Sequence, residues 1–238
     1  MFEFTSKIRY SETDSTGRLS LPALLDYFQD CSTFQSEALG VGLEYTKGLD
    51  LAWVMLYWQI DIEDFPALCD EVVVGTFPYE FKSCMGGRNF YMKDDKGNRI
   101  ACANSVWALM NMVEGKPALP TEKMLASYSL EDKLDMEYTP RKIKMPAEEG
   151  VFGEPIVVGI HHLDTNNHVN NGQYIKMAMN YLPGDIEITR LRAEYKQQAF
   201  LKDLIRPYIV EKDGIYWISL LDREDKPYVN MEFVTKKC

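Results

Sequence analysis

The sequence predicts an α+β protein with two similar halves, each made of one helix and one antiparallel sheet. Three observations predict this fold: an internal repeat at an offset of 150 residues, a helical pattern in each copy, and four strand-like segments after each helix. The repeat aligns residues 14–25 with residues 164–175, and both copies have an aspartate, a short polar turn and a helix start. With 46% hydrophobic residues, the chain is able to bury a substantial core.

The first half begins with the helix. Ser20 is a suitable N-cap, Pro22 fits the first helical position, and Gly40 marks the end. The apolar residues at helical spacing are Leu21, Leu24, Leu25, Phe28 and Cys31. Segments rich in β-branched and aromatic residues follow at 53–62, 71–77, 88–93 and 99–110, with a hairpin turn at 94–98.

The second half repeats this order. Asn170 or Asn171 caps its helix, and Pro183-Gly184 ends it. The apolar face holds Tyr174, Met177, Ala178 and Tyr181, and strands are expected at 188–196, 204–210, 216–221 and 227–235, with a turn at 222–225. We therefore predict a first domain over 1–113, an ordered linker over 114–150 with a short helix near 129–135, and a second domain over 151–238.

Composition argues against several classes of protein. The apolar run 51–58 is too short to span a bilayer, and the N-terminus does not resemble a signal peptide, so we expect a soluble cytoplasmic protein with no membrane contact. A net charge of −10 disfavours nucleic-acid binding. The five cysteines are scattered and form no CxxC pair, which favours reduced thiols over a zinc ribbon. Phosphate-loop and dinucleotide motifs are missing, and we expect neither a cofactor nor a metal.

The candidate site lies where all three histidines cluster, between positions 161 and 168. Asp164, Asn166 and His168 alternate, so in an extended segment their side chains would project to one side. Imidazole accepts a proton from water, the carboxylate orients it, and the amide places the water or a carbonyl oxygen. The backbone N–H groups of the following helix start would face a developing oxyanion, as ester or thioester hydrolysis requires.

Other interpretations of the same residues are open. Asp164 and the asparagines are also suited to cap the helix, and His162, Asp164 and His168 are a possible metal site. His161 and His162 are predicted to be strand residues. The first half has Thr16 and Arg18 at the positions of Asn166 and His168, which indicates one site per chain. That half would then supply scaffold and acyl pocket, with Leu56, Trp58, Phe77, Phe90, Trp107 and Met110 as candidate lining residues.

With these motifs in view, the chain resembles the acyl-acyl carrier protein thioesterase family over nearly its whole length. The resemblance rests on 9–14, 66–74, 88–97 and 105–107 in the first half and on Asp164-x-Asn-x-His-Val-Asn-Asn171 in the second. It implies two tandem hotdog domains and hydrolysis of the thioester between a fatty acyl chain and the phosphopantetheine arm of acyl carrier protein. It also implies that Asp164, Asn166 and His168 are the catalytic residues.

The chain departs from the family at its second motif. The family pattern resembles L-E-Y-x-x-E-C, whereas residues 193–199 place Gln198 and Ala199 at the last two positions. Neither a catalytic glutamate nor a cysteine nucleophile can therefore be carried over, which favours attack by water or by the Asp164 carboxylate. Gln198 is able to hydrogen-bond a water but not to act as a base. Glu194 is a candidate auxiliary residue.

The acidic chain needs a local basic surface to bind an acidic carrier protein. The candidates are Arg141, Lys142 and Lys144, and a second group of Arg190, Arg192, Lys196, Lys202 and Arg206. Three alternatives for function are a hotdog acyl-CoA thioesterase, a non-catalytic module that binds acyl chains or carrier protein, and an enoyl hydratase. The tandem arrangement is compatible with a monomer or a homodimer.

Overall fold

The computed structural model describes residues 1–164, 166–184 and 186–237. Thr165 of the predicted site motif, Asp185 and Cys238 lie outside the described residues. The other four cysteines, Cys31, Cys69, Cys84 and Cys102, are free thiols. The chain forms two compact units, one of Met1–Leu56 with Ile60–Tyr138 and one of Tyr57–Gln59 with the residues from Thr139 onward.

The first unit has one long helix on an antiparallel sheet. Its elements are β1 (Phe2–Lys7), α1 (Leu21–Ala38), α2 (Leu43–Lys47), β2 (Leu51–Ile62), β3 (Glu71–Lys82), β4 (Met85–Lys93), β5 (Arg99–Asn111), β6 (Lys116–Pro117) and α3 (Glu122–Ser127). The order in the sheet is β1-β3-β4-β5-β2, with β6 beside β5. Helix α1 packs on the sheet through its apolar face, where the rings of Phe28 and Phe90 lie 5.4 Å apart.

The ends of α1 follow the sequence signals closely. The Ser20 hydroxyl accepts a hydrogen bond from the Ala23 N–H at 3.3 Å, which confirms the N-cap. The helix begins at Leu21, so Pro22 is its second residue and not its first. Gly40 follows the C-cap with a φ of 67°, a left-handed conformation that glycine adopts without steric cost.

The second unit repeats the plan. Its elements are β7 (Val151–Phe152), β8 (Ile156–Val157), α4 (Asn171–Met179), β9 (Ile186–Tyr195), β10 (Leu204–Lys212), β11 (Ile215–Leu221) and β12 (Pro227–Lys237). The order is β9-β12-β11-β10-β7, and β8 also pairs with β10. Helix α4 buries Tyr174, Met177 and Ala178, as its periodicity predicts, and also Ile175. It ends at Met179, ahead of Pro183-Gly184, so the prediction that Tyr181 belongs to its buried face is wrong.

The linker differs most from the sequence prediction. The expected helix near 129–135 is wrong: the linker helix is α3, where the Thr121 hydroxyl accepts a hydrogen bond from the Met124 N–H at 3.1 Å. Residues 129–135 lie instead against the first sheet, since the Leu134 N–H donates to the Asn89 side chain at 3.2 Å. Contacts group the linker up to Tyr138 with the first unit and the rest with the second. Strand β1, helix α2 and the short strands β6, β7 and β8 were not predicted from the sequence.

Within the described parts of the chain, no helix is both long enough and apolar enough to cross a membrane.

Candidate active site

The segment that carries the candidate residues is a closed turn, so the extended arrangement considered from the sequence is wrong. Leu163 and Val169 form an antiparallel bridge at its base. The Asp164 N–H donates to the His168 carbonyl at 2.8 Å, and Asn167 has a φ of 61°. Left-handed backbone of this kind is tolerated by asparagine, whose polar side chain is short. The site therefore depends on a turn and not on the alternation of a strand.

The Asp164 carboxylate organises this turn. Its Oδ1 accepts hydrogen bonds from the N–H of Asn166 at 2.7 Å and from the N–H of His168 at 3.4 Å. The three predicted catalytic residues are therefore brought together through the backbone. Asp164 is half-buried, and its carboxylate has a structural role in the turn that carries the other two.

The first half contains the same turn. The Oδ1 of Asp14 accepts from the N–H of Thr16 at 2.8 Å and from the N–H of Arg18 at 3.4 Å. Arg18 also forms an ion pair with Asp64 at 2.5 Å, and the Thr16 hydroxyl donates to Asp14 at 2.6 Å. The two turns thus have the same pattern of backbone hydrogen bonds to an aspartate. They differ in the side chains at the second and fourth positions after that aspartate.

In the second half, the side chains of Asn166 and His168, at the positions of Thr16 and Arg18, have no hydrogen-bond partner among the described residues. Asn166 is exposed, and its amide has no hydrogen-bond partner among the described residues. The half-buried His168 imidazole packs edge-on against the Phe200 ring, with centroids 5.2 Å apart, and its nitrogens likewise have no described hydrogen-bond partner. One proton acceptor and one amide are therefore available to a substrate or a water.

The helix start beside this turn is partly occupied by its own cap. Asn170 is the N-cap of α4: its Oδ1 accepts from the Gly172 N–H at 2.8 Å and its carbonyl from the Gln173 N–H at 2.9 Å. This resolves the choice between Asn170 and Asn171. Because two N–H groups of the first turn are taken, the helix start has fewer free donors for an oxyanion than the sequence implied.

The loop that carries Gln198 runs beside the turn. The Val169 N–H donates to the Ala199 carbonyl at 2.9 Å, and Phe200 provides the ring against His168. Gln198 itself is exposed and has no hydrogen bond to another described residue. The departure from the family motif therefore lies in a loop that adjoins the turn.

Glu194 is engaged elsewhere. Its Oε2 accepts from the N–H of the buried Ile143 at 2.9 Å, and its Oε1 pairs with Lys196 at 3.1 Å. Among the described residues, no hydrogen bond or ion pair joins Glu194 to the turn of 164–168. The auxiliary role predicted for this carboxylate has no geometric support, because both of its oxygens hold other groups.

His161 and His162 lie in a 3-10 turn over 160–162, so their prediction as strand residues is wrong. The His162 Nδ1 accepts a hydrogen bond from the Gly159 N–H at 3.0 Å. At the matching place in the first half, the Glu12 carboxylate accepts one from the Arg9 N–H. Burial and the adjacent His161 lower the pKa of His162. In the described residues, no group of three or more His, Cys, Asp or Glu is placed to hold a metal ion.

The predicted docking residues divide into exposed and buried ones. Arg192 is 9% exposed, and its guanidinium donates to the Tyr57 hydroxyl, to Glu232 and to the Pro140 carbonyl, so its prediction as a docking residue is wrong. It instead holds the start of the second unit's linker segment. Arg190 is half-buried. The exposed cations are Arg141, Lys142, Lys144, Lys196 and Lys202, whereas Arg206 is half-buried and paired with Asp225.

A groove of about 830 Å³ lies in the first unit. Phe77, Tyr91 and Leu134 are among its lining residues, together with charged residues such as Lys93 and Glu131. None of the candidate catalytic residues lines it, so it is separate from the chemistry considered for the turn.

Comparison with known proteins identifies the family. The model described as "Acyl-ACP thioesterase N-terminal domain" matches residues 1–128, and "Acyl-ACP thioesterase C-terminal domain" matches residues 147–203. A chloroplastic acyl-[acyl-carrier-protein] hydrolase of Cuphea viscosissima is 26% identical over 215 residues, covering 83% of this chain and 52% of the relative. A chloroplastic oleoyl-acyl carrier protein thioesterase of Arabidopsis thaliana is 24% identical and covers 72% and 50%. The chain thus spans about half the length of these curated relatives.

Solved structures agree in fold. An acyl-ACP thioesterase from Bacteroides thetaiotaomicron superposes with a TM-score of 0.89 at 21% identity, covering 98% of this chain and 97% of the other. The 12:0-ACP thioesterase from Umbellularia californica gives 0.84 at 18% identity, with 100% and 97% covered. The predicted α+β fold of two tandem hotdog domains is confirmed, and the chain belongs to the acyl-ACP thioesterase family.

Proposed function

We propose that this protein hydrolyses the thioester that joins a fatty acyl chain to acyl carrier protein, which releases a free fatty acid and ends chain elongation. One observation carries the proposal: among the described residues, the His168 imidazole and the Asn166 amide have no hydrogen-bond partner, and they lie on a turn whose backbone N–H groups are bound by the Asp164 carboxylate. Membership of the family supports the substrate class. Neither a metal nor a cofactor is needed for this reaction.

The two unengaged groups divide the chemistry between them. His168 takes a proton from water as the water oxygen attacks the thioester carbonyl carbon. The Asn166 amide donates a hydrogen bond to the carbonyl oxygen as it gains negative charge. The tetrahedral intermediate then collapses, the carbon–sulfur bond breaks, and His168 returns the proton to the departing thiolate. The products are the fatty acid and the phosphopantetheine thiol of the carrier protein.

Asp164 is assigned an orienting role and not that of a nucleophile. Its Oδ1 holds the N–H groups of Asn166 and His168, and Asp14 makes the same two bonds in a half that has neither of these side chains. The carboxylate thus has a task that does not depend on the reaction. Gln198 is proposed as an auxiliary residue that hydrogen-bonds the water, and Glu194 is not assigned to the site.

A thiol-release assay tests the proposal. The purified protein is incubated with acyl-carrier and acyl-CoA thioesters of several chain lengths, beside the variants His168→Ala and His161→Ala. We expect release from acyl-carrier substrates, a fall of about a hundredfold or more for His168→Ala, which removes the general base, and an unchanged rate for His161→Ala. The exposed His161 is a matched control, because it removes an imidazole from the same unit outside the turn.

The other outcomes separate the alternatives. Equal rates for both variants would exclude His168 as the base. Faster release from acyl-CoA than from carrier-bound chains would identify an acyl-CoA thioesterase. Binding without any release would identify a non-catalytic module, and addition of water to an enoyl chain would identify a hydratase.

The partner and the setting are parts of the same proposal. Acyl carrier protein is proposed to dock on the exposed cations Arg141, Lys142 and Lys144. Arg190, which is half-buried, is retained as a further docking candidate, whereas Arg192 is not. We propose a cytoplasmic monomer or homodimer with the domain division 1–113, 114–150 and 151–238, in which the first half supplies scaffold and acyl pocket. Fractionation of cells and light scattering of the purified protein test location and oligomeric state.

A further inference from the structure

The loop that carries Gln198 is tied to helix α4 by a tyrosine. The Tyr174 hydroxyl accepts the Ala199 N–H at 2.8 Å, and the Ala199 carbonyl accepts the Val169 N–H at 2.9 Å. Ala199 is completely buried, and it lies between Gln198 and Phe200. Both backbone groups of one residue are therefore anchored at the point where the loop passes the candidate site.

Tyr174 is itself fixed by its neighbours. It is 2% exposed, with the Tyr195 ring 6.0 Å away in an edge-on arrangement and the Tyr228 ring 6.5 Å away and stacked. The Tyr195 hydroxyl donates to the Asn171 carbonyl at 3.0 Å. Aromatic packing of this kind leaves the Tyr174 ring little freedom to move, so its hydroxyl is a rigid acceptor.

The first half builds the same loop without a tyrosine. The Pro66 carbonyl accepts the Leu19 N–H at 2.8 Å, as the Ala199 carbonyl accepts that of Val169. Proline has no N–H to satisfy, and the residue that aligns with Tyr174 is Leu24, which has no hydroxyl. At this loop position the second half therefore has an N–H that is bound by a tyrosine hydroxyl, whereas the first half has a proline with no N–H to bind.

The hydrogen bond from the Ala199 N–H to the Tyr174 hydroxyl occurs in the half that carries the proposed catalytic side chains of Asn166 and His168. There the loop brings the Phe200 ring against the His168 imidazole at 5.2 Å. We propose that Tyr174 is a positioning residue: by accepting the Ala199 N–H, its hydroxyl holds the loop so that Phe200 fixes the orientation of His168. A buried N–H without an acceptor is costly, so loss of the hydroxyl would shift the loop. The consequence for turnover rests on the proposed function.

The test combines a rescue with a matched control. Tyr174→Phe removes only the acceptor, and adding Ala199→Pro removes the donor, which copies the solution of the first half. Pro66→Ala is the control, because it creates an N–H at the position that matches Ala199, in the half where Leu24 aligns with Tyr174. For Tyr174→Phe we expect kcat to fall about tenfold, about 1.4 kcal/mol in activation free energy, with KM unchanged. We expect Ala199→Pro to restore kcat in that background, and Pro66→Ala to leave kcat unchanged.

Histidine NMR provides a readout that needs no substrate. The His168 ring signal, identified by its loss in His168→Ala, should move in Tyr174→Phe, return in the double variant and stay in place in Pro66→Ala. The inference is overturned if Tyr174→Phe leaves this signal unmoved, or if Pro66→Ala lowers kcat as much as Tyr174→Phe does. If the wild type hydrolyses no thioester, the proposed function fails and the NMR result alone decides the positioning role. If the double variant does not fold, the signal and kcat of Tyr174→Phe decide it.

Discussion

Glu194 offers the sharpest distinction between a structural and a catalytic carboxylate. Its side chain is 13% exposed, and its Oε2 accepts the N–H of Ile143, which is 2% exposed. The bond joins the C-terminal end of β9 to the linker segment of the second unit. We therefore expect Glu194 to stabilise the fold and to contribute nothing to the chemistry of the turn.

The structure sets the size of the effect. A hydrogen bond from a buried N–H to a charged group contributes about 1.5–3 kcal/mol. The pair with Lys196 is partly exposed and adds less than about 1 kcal/mol. Glu194→Ala should thus lower the free energy of unfolding by about 2–3 kcal/mol. Glu194→Gln keeps an oxygen acceptor for Ile143 and should cost about 1 kcal/mol.

Urea unfolding and steady-state kinetics measure the two roles separately. Glu187→Ala is the control, because it removes an exposed carboxylate from the same strand, paired with Lys236 at 2.8 Å, and should cost less than about 1 kcal/mol. We expect kcat to be unchanged in all three variants at temperatures where they are folded. A fall in kcat of about a hundredfold for Glu194→Gln with unaltered unfolding would refute the reasoning and identify a general base.

Three further predictions follow from the same geometry. Asn166→Ala should lower kcat by about a hundredfold or more, since it removes one oxyanion donor, and a near-normal kcat in the folded variant removes Asn166 from the mechanism. Reversing the charges of Arg141 and Lys144 should raise KM for carrier-bound substrate but not for acyl-CoA, and equal effects on both would exclude this docking surface. Because burial lowers the pKa of His162, its contribution to stability is complete above the unfolded value of about 6.5 and declines as pH falls below it. His162→Glu keeps an acceptor for the Gly159 N–H but removes the imidazole. Its free energy of unfolding, measured with urea, should therefore fall less between pH 7.5 and pH 5.5 than that of the wild type. An equal fall in both proteins would show that His162 is not the source of this pH dependence.

The features that sequence predicted well are local ones. Ser20 and Gly40 delimit α1 because each acts on the backbone within a few residues, through a side-chain oxygen or a left-handed φ. Helix α4 follows from the helical spacing of its apolar residues, and the main strands follow from their content of β-branched and aromatic residues, which are also local signals. The internal repeat added the long-range information that the halves share one plan.

The linker could not be predicted because its contacts come from distant buried polar groups. The Thr139 N–H donates to the side chain of Gln59, 80 positions earlier, and the Pro140 carbonyl accepts from Arg192. In the first unit, Asn89 accepts the Leu134 N–H. No local pattern indicates which buried side chain will take up a linker amide, so the sequence could specify an ordered connection without its path.

The turn of the candidate site could have been predicted, but only by using the repeat in full. Asp14 matches Asp164, but the first half has neither the histidine nor the asparagine of the candidate site. An aspartate at this position in both halves therefore indicates a structural role for both aspartates. The alternation of Asp164, Asn166 and His168 drew attention to a strand period that the fold does not use there. An aspartate followed by short polar residues is better understood as a side chain that bonds the backbone two to four positions ahead.

The two halves also differ in the side chains that one pattern of backbone hydrogen bonds presents, and this difference bears on the proposed reaction. In the first half, Arg18 is neutralised by Asp64 and the Thr16 hydroxyl is bonded within its own turn. At the matching positions, His168 and Asn166 have no described hydrogen-bond partner for their side chains. A general base needs one imidazole nitrogen that is open to water, and His168 meets this condition among the described residues. The Asp164 carboxylate holds the turn through the N–H groups of Asn166 and His168, so the turn does not depend on hydrogen bonds from their side chains.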